Sequence, residues 1–418
     1  IKKVIISYHR SNHSPFLSPD FSKKDVELIK AIAREHKLVL NLFVNPYPLI
    51  DLGNLSSVEA LVVSYQNSSI SQKISADLMN GHGAFMGSLP VSISDQFPVG
   101  TGICFEPKEI NKRTDLIEKG FDPDRLTKID HFAQRVIDSS MTPGMQILVA
   151  KSGEIIYHKS FGYHTYDKKI KVENHHLYDL ASLTKITATL PLIMREVDLN
   201  NFSLDTSLED FMPELKGSNK ANLSVKEVLS HYARLTPWIP FYKETLDEDG
   251  QQLRKFYRNR DKYRYDIPVA QQLYLRSNFN QIIEKQVIES PLLDSLYYRY
   301  SDLPYYLFKN YFERKYKKPL DDLAHEFLYE PLGLERTLFN PWKVMSKEEI
   351  VPSEIDNYFR HRELRAYVHD MGAAMQGGVG GHAGLFSNAE EVYKIMQMYL
   401  QKGKSNGHEF ITSKTLND

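Results

Sequence analysis

The chain has 418 residues, 42% of them hydrophobic and 25% charged, which excludes global disorder and fibrous repeats. That length accommodates roughly two or three domains. Lys+Arg number 52 against 53 Asp+Glu, a net charge of −1, without the basic excess of a nucleic-acid binder. No uninterrupted apolar run approaches the ~18 residues of a membrane span. A single cysteine, Cys104, excludes an internal disulfide and a thiolate metal cage. No metal or organic cofactor is indicated. The first residue is Ile1 rather than Met, so the chain reads as a piece of a longer one, with any signal peptide or upstream domain out of sight.

Residues 1–101 alternate strand and helix signals. Val4–Tyr8 reads as a buried strand. Ser22 is placed to cap a helix over Lys23–His36 whose apolar face is Val26, Ile29, Ile32 and Ala33. Leu38–Val44 is a second strand, stopped by Asn45-Pro46-Tyr47-Pro48. Ala60–Ser64 is a third, Ser71–Met79 a helix, and Leu89–Ile93 an edge strand. This alternation predicts an α/β domain, a parallel sheet with flanking helices. Residues 102–120 are polar and read as a linker. A second domain, 121–418, opens with a helix at Asp122-Pro123 carrying Leu126, Ile129, Phe132, Ala133 and Val136 on one face. Met145–Ala150 and Glu154–Gly162 form a hairpin about Lys151-Ser152-Gly153. A long, mostly helical stretch follows. The charged, Tyr-rich segment 243–265 reads as an exposed insertion, which would leave Tyr257 solvated.

The segment Tyr178-Asp179-Leu180-Ala181-Ser182-Leu183-Thr184-Lys185 holds the only Ser-x-x-Lys of the chain. With a helix starting near Ser182, Ser182 and Lys185 share one face of its first turn. A serine there sits in positive potential, which favours a developing alkoxide, and the lysine one turn later can take its proton. The bland alternative is a capping serine beside an exposed lysine. Pro191 predicts a kink or irregularity in this helix. A base or shuttle is also required. Tyr65-x-Asn67, Tyr257-x-Asn259 and Tyr300-Ser301-Asp302 are the candidates, and the last, just before the apolar helix Leu303–Phe312, is the best placed.

ASLTK, LSHYARL (229–235) and YSDLPYYLF (300–308), in this order, resemble the serine β-lactamase-like family, which includes class C β-lactamases, low-molecular-weight penicillin-binding proteins and related esterases. FLYEPLGLERTLFNP (327–341) and GGVGGHAGLFSNAEEV (377–392) are similar to two further blocks of that family, the latter with Ser387 and Glu390 expected as a capping box. The resemblance implies an α+β β-lactamase/transpeptidase-like domain with an antiparallel sheet and a helical region. It implies Ser182 as the acylated nucleophile, Lys185 as its proton partner and Tyr300 as the general base. Asp302 would take the place usually held by Asn, against Lys185 and substrate, and the Ser182 N–H would give half of an oxyanion hole. His231 matches the family histidine of "H-T-S-G-L", with Arg234 where Gly is usual, so the local turn is expected to differ. His382 lies in a Gly-rich loop near the cleft, or simply packs there.

The family's third motif, Lys-Thr-Gly or His-Thr-Gly on a strand, is not found. His382-Ala383-Gly384 is rejected for that role because its block precedes a helix, so the domain is expected to stop short of its closing strands. The first domain resembles the C-terminal α/β domain of family 3 glycoside hydrolases of β-N-acetylglucosaminidase type, in VIISYHRSNHSP, LFVNPYPL, ALVVSYQNS and LPVSISDQFPVGTGI. That implies an upstream glycosidase barrel, so no glycosidase residue is assigned. The combined reading is a serine hydrolase acting on peptidoglycan fragments, β-lactams or small carbonyl substrates, periplasmic or otherwise extracytoplasmic. A promiscuous esterase and a non-catalytic binding module on the same fold are the alternatives.

Overall fold

The computed structural model describes residues 3–10, 21–79, 85–103, 116 and 120–418. Cys104 and most of the expected linker lie outside the described residues. The chain divides into two compact units, Ile1–Pro123 and Asp124–Asp418.

In the first unit, strands Lys3–His9, Lys37–Phe43 and Ala60–Val63 form a parallel sheet in that spatial order. The central strand is buried almost end to end, as a parallel strand covered on both faces must be. Its one internal polar residue, Asn41, donates to Ser75 Oγ at 2.8 Å. The helix Lys23–Glu35 starts at Ser22 with a complete capping box: Ser22 Oγ accepts from the Asp25 N–H while the Asp25 carboxylate accepts from the Ser22 N–H. Ile29 and Ala33 join Leu38, Leu40 and Leu42 in the core of this unit. Past the prolines of 46–48 the chain adds a short helix, Leu49–Leu52, and the later helix spans Ser69–Met79. Leu89–Ile93 is not a strand. Pro90 has no N–H to give a ladder, and the segment bonds locally instead, Gly100 N–H to the Leu89 carbonyl and Ile93 N–H to that of Phe97.

The second unit opens with the helix Pro123–Asp138. Its inner face is centred on buried Ala133, so Phe132, one position away around the helix, is exposed rather than packed as expected. Strands Gly144–Lys151 and Glu154–Gly162 form the hairpin, closed by Ser152 and Gly153 at φ 52° and 83°, the two positive values a tight primed turn requires. The segment 243–265 departs from its expected role. Tyr257 is buried, pairs with strand Leu273–Leu275, and shares a 2.8 Å hydrogen bond with buried Thr245. The charges project outward while Phe256 and Tyr257 turn to the core, Tyr263 staying exposed. That core is built from Leu275, Phe279, Val287, Leu303, Phe308 and Phe312.

Three short strands matter most for the site. Leu385–Ser387 lies between Leu338–Phe339 and Tyr178–Asp179, antiparallel to both. This sheet ties the Ser-x-x-Lys segment to the two later sequence blocks. Leu385–Ser387 also removes the reason for setting aside His382-Ala383-Gly384, which leads directly into a strand before the helix begins. The helix Ala389–Leu400 is capped by Asn388, whose side chain accepts from the Glu391 N–H, not by the expected Ser387–Glu390 pair. Ser387 is the last residue of the strand and bonds to Thr337 Oγ1. The Glu391 carboxylate accepts from the N–H groups of Glu335 and Arg336 and from the Thr337 hydroxyl, fastening the 327–341 block.

Candidate active site

Ser182 sits in a tight helical turn, Ala181–Leu183, followed by a widened π turn, Lys185–Thr189, and the α-helix Leu190–Asp198. Pro191 falls in the first turn of that α-helix, where its missing N–H leaves fewer bonds to satisfy, and the widened turn before it is the expected irregularity. Ala181, directly before the serine, holds a left-handed φ of 46°. Asp179 secures it: Oδ1 accepts from the Ala181 N–H at 2.8 Å and Oδ2 from the His369 N–H at 2.6 Å. Burial pushes the Asp179 carboxyl up, partly offset by those two N–H groups. Strain held in place beside a nucleophile is a mark of preorganisation.

Lys185 turns back under the serine. Its Nζ, with the side chain 4% exposed, donates to Ser182 Oγ at 2.8 Å and to the His382 carbonyl at 3.3 Å. Asp302 Oδ1 lies 2.7 Å from the same Nζ as an ion pair, off the hydrogen-bond line. A buried ammonium needs such acceptors, because desolvation without them is prohibitive.

The Tyr300-Ser301-Asp302 segment reaches this position through the loop before the helix Leu303–Tyr316. The Asp302 N–H donates to the Pro237 carbonyl at 2.9 Å and Ser301 Oγ to that of Thr236 at 2.7 Å. Asp302 makes no side-chain capping bond, so its carboxylate stays available to Lys185 while lying in the positive field of the helix start. Tyr300, 42% exposed, presents its ring face to Lys185, centroid to Nζ 4.9 Å. His231 packs on that ring at 4.6 Å and accepts from the Ser301 N–H at Nδ1. Burial, with the nearby Lys185 charge, pushes the His231 imidazole down. Exposed Tyr298 and Tyr232 continue the aromatic line outward. Arg234, at the family's Gly position, takes φ 56°, so the left-handed turn persists without the glycine.

His382 is 2% exposed. Its carbonyl meets Lys185, while its ring stacks on Tyr306 and Nε2 bonds to Asp370 Oδ1 at 2.8 Å. The loop can come this close only because a Cβ on Gly381 would stand 2.2 Å from the Tyr305 carbonyl. Thus Ser182, Lys185, Tyr300, Asp302 and the His382 backbone converge, with His231 bordering them. Asp179, Tyr306 and Asp370 also belong to this surround and were missed. Asp179 lies in the Ser-x-x-Lys segment itself, but nothing local distinguishes Asp370.

Among the described residues, Glu173, His175 and His176 bring ligand-type atoms within 4.8 Å of one another. The His176 Nδ1 already accepts from the Glu173 N–H. A cleft of about 500 Å³ lined in part by Gln271, Lys347, Arg362 and Tyr367 includes none of the residues gathered about Ser182.

The profile of the beta-lactamase family matches residues 130–415, and the chain belongs to that family. A Bacillus subtilis protein named N-acetylmuramyl-L-alanine amidase is 29% identical over 363 residues, covering 79% of this chain and 75% of the relative. A Salmonella typhimurium protein provisionally named D-alanyl-D-alanine carboxypeptidase is 28% identical over 71% of this chain and 69% of its own length. A penicillin-binding protein homologue from Caulobacter crescentus shares the fold with TM-score 0.50 and 18% identity, over 71% of this chain and 74% of that one. The octameric penicillin-binding protein homologue from Pyrococcus abyssi gives TM-score 0.51 at 18% identity, over 70% of this chain and 59% of its own.

Proposed function

We propose that the Asp124–Asp418 unit is a serine hydrolase that forms an acyl-enzyme on a peptidoglycan-type peptide, a β-lactam or an ester. The observation that carries this reading is the buried Lys185 Nζ, 2.8 Å from Ser182 Oγ and braced by Asp302. Ser182 Oγ attacks the carbonyl while Lys185 and Tyr300 together move its proton. The oxyanion faces the Ser182 N–H, in a first helical turn where N–H groups lack intrahelical partners. The proton then goes to the leaving group, and water releases the acyl group. The names of the relatives, an amidase and a carboxypeptidase, favour cell-wall peptides and an extracytoplasmic place of work.

Two of the three departures from the family pattern weigh little toward a non-catalytic module, and the missing third motif is the one that favours it. Asp302 still engages Lys185, and Arg234 still makes the turn. We propose likewise that the first unit is a family 3 glycoside hydrolase C-terminal-type domain behind an upstream barrel, a reading supported by its parallel sheet. Glucosaminide turnover by this chain alone would overturn that assignment.

Fluorescent penicillin and a fluorophosphonate test the hydrolase reading. Labelling that disappears in Ser182→Ala is expected; absence of labelling by both probes sinks it. Ester turnover and fluorophosphonate labelling without penicillin labelling would select the esterase alternative.

A further inference from the structure

We propose that Asp370 and His382 are positioning residues that hold Lys185 in its working place, an inference that rests on the hydrolase reading above. Among the described residues, Lys185 reaches one main-chain acceptor, the His382 carbonyl at 3.3 Å. That carbonyl sits in a Gly-rich loop, which on its own would be compliant. The His382 side chain removes the freedom. Its ring stacks on Tyr306 with centroids 4.4 Å apart at 22°, and Nε2 lies 2.8 Å from Asp370 Oδ1 and 3.2 Å from the Tyr306 hydroxyl.

Asp370 is itself fixed. Oδ1 accepts from the Ala373 N–H at 2.7 Å, capping the turn Met371–Met375. That turn presses on Tyr306 closely enough that a Cβ on Gly372 would stand 1.9 Å from the tyrosine hydroxyl. Burial works against the Asp370 charge, yet His382 and the Ala373 N–H hold the carboxyl well below the ordinary carboxylate range. The pair therefore runs from a helix cap, through an imidazole, to the backbone atom that touches the catalytic lysine. Neither side chain contacts Ser182, so each acts through Lys185. A displacement of the lysine by a fraction of an ångström is enough to slow acylation, because proximity terms fall steeply with misplacement.

The test uses the whole chain and a fluorophosphonate or fluorescent penicillin, with labelled serine counted so that rates are expressed per active site. His382→Phe keeps the stacked ring and the bulk but loses the bond to Asp370. Its limiting acylation rate per labelled site is expected to fall at least about tenfold with half-saturation unchanged. His382→Gln, whose amide can donate to Asp370, is expected to recover much of that rate. Asp370→Asn keeps a good helix cap without the charge and should fall between the two. A purely structural role would lower the labelled fraction and leave the rate per site alone. A wild-type rate per site in His382→Phe, or no recovery in His382→Gln, overturns the positioning role only. A wild-type protein not acylated at Ser182 overturns the proposed function and this role together.

Discussion

At the scale of single residues, this site is assembled from strained or crowded positions that each have an identifiable restraint. Ala181 and Arg234 both hold left-handed backbone without being glycine. Each carries a cost of about 1–2 kcal/mol relative to ordinary helical or extended backbone. Ala181 is restrained by Asp179, while the Arg234 carbonyl accepts from the Leu293 N–H at 2.7 Å. Arg234→Gly removes the Cβ penalty but loosens the unfolded chain, so a net gain of up to about 1 kcal/mol is expected in urea unfolding. A loss of stability would mean that the Arg234 side chain contributes more than its backbone costs.

At the scale of elements, the helices that frame the site are joined by a buried carboxylate. Glu196, on Leu190–Asp198, is 1% exposed and accepts from Tyr311, Lys315 and Tyr316 on the helix Leu303–Tyr316. These two helices also deliver Lys185 and Asp302, so the bond between them steadies both halves of the ion pair. Burial alone would raise the Glu196 carboxyl, but the Lys315 and tyrosine bonds bring it below its ordinary value. A carboxyl depressed in the folded state contributes fully above the unfolded value of about 4.3 and loses that contribution as pH falls through its folded value. Glu196→Gln leaves Lys315 without its anion and is expected to cost about 3 kcal/mol near neutral pH, the difference from wild type shrinking on acidification. Equal losses at pH 7 and pH 3 in chemical denaturation would count against this account.

For the whole molecule, the two units have separate cores. Leu38, Leu40 and Leu42 pack within the first, while the hydrolase unit is centred on Phe279, Phe308 and Phe312. Leu40→Ala is expected to destabilise the first unit by about 2–5 kcal/mol through the cavity it leaves. Calorimetry should show that transition move while the one belonging to Asp124–Asp418 stays. A common shift of both transitions would show that the units unfold as one.

Local signals in the sequence determined a good part of this protein. The individual strands and helices of the first unit, the Ser22 cap, the 144–162 hairpin and the Ser182–Lys185 pairing all depend on neighbours within a few residues, which propensity and periodicity report. Reading failed where distant parts of the chain decided the outcome. Leu89–Ile93 looks extended but bonds to its own loop. The charged composition of 243–265 concealed that Tyr257 is buried. Asp370 has no local mark, since its partner His382 is brought to it by the fold and its effect reaches Lys185 through a backbone carbonyl. The sequence thus specified which groups could do the chemistry. Only tertiary packing decided which of them meet, because the acceptors that make a buried lysine tolerable come from distant segments, Lys185 to the His382 carbonyl being a separation of 197 residues.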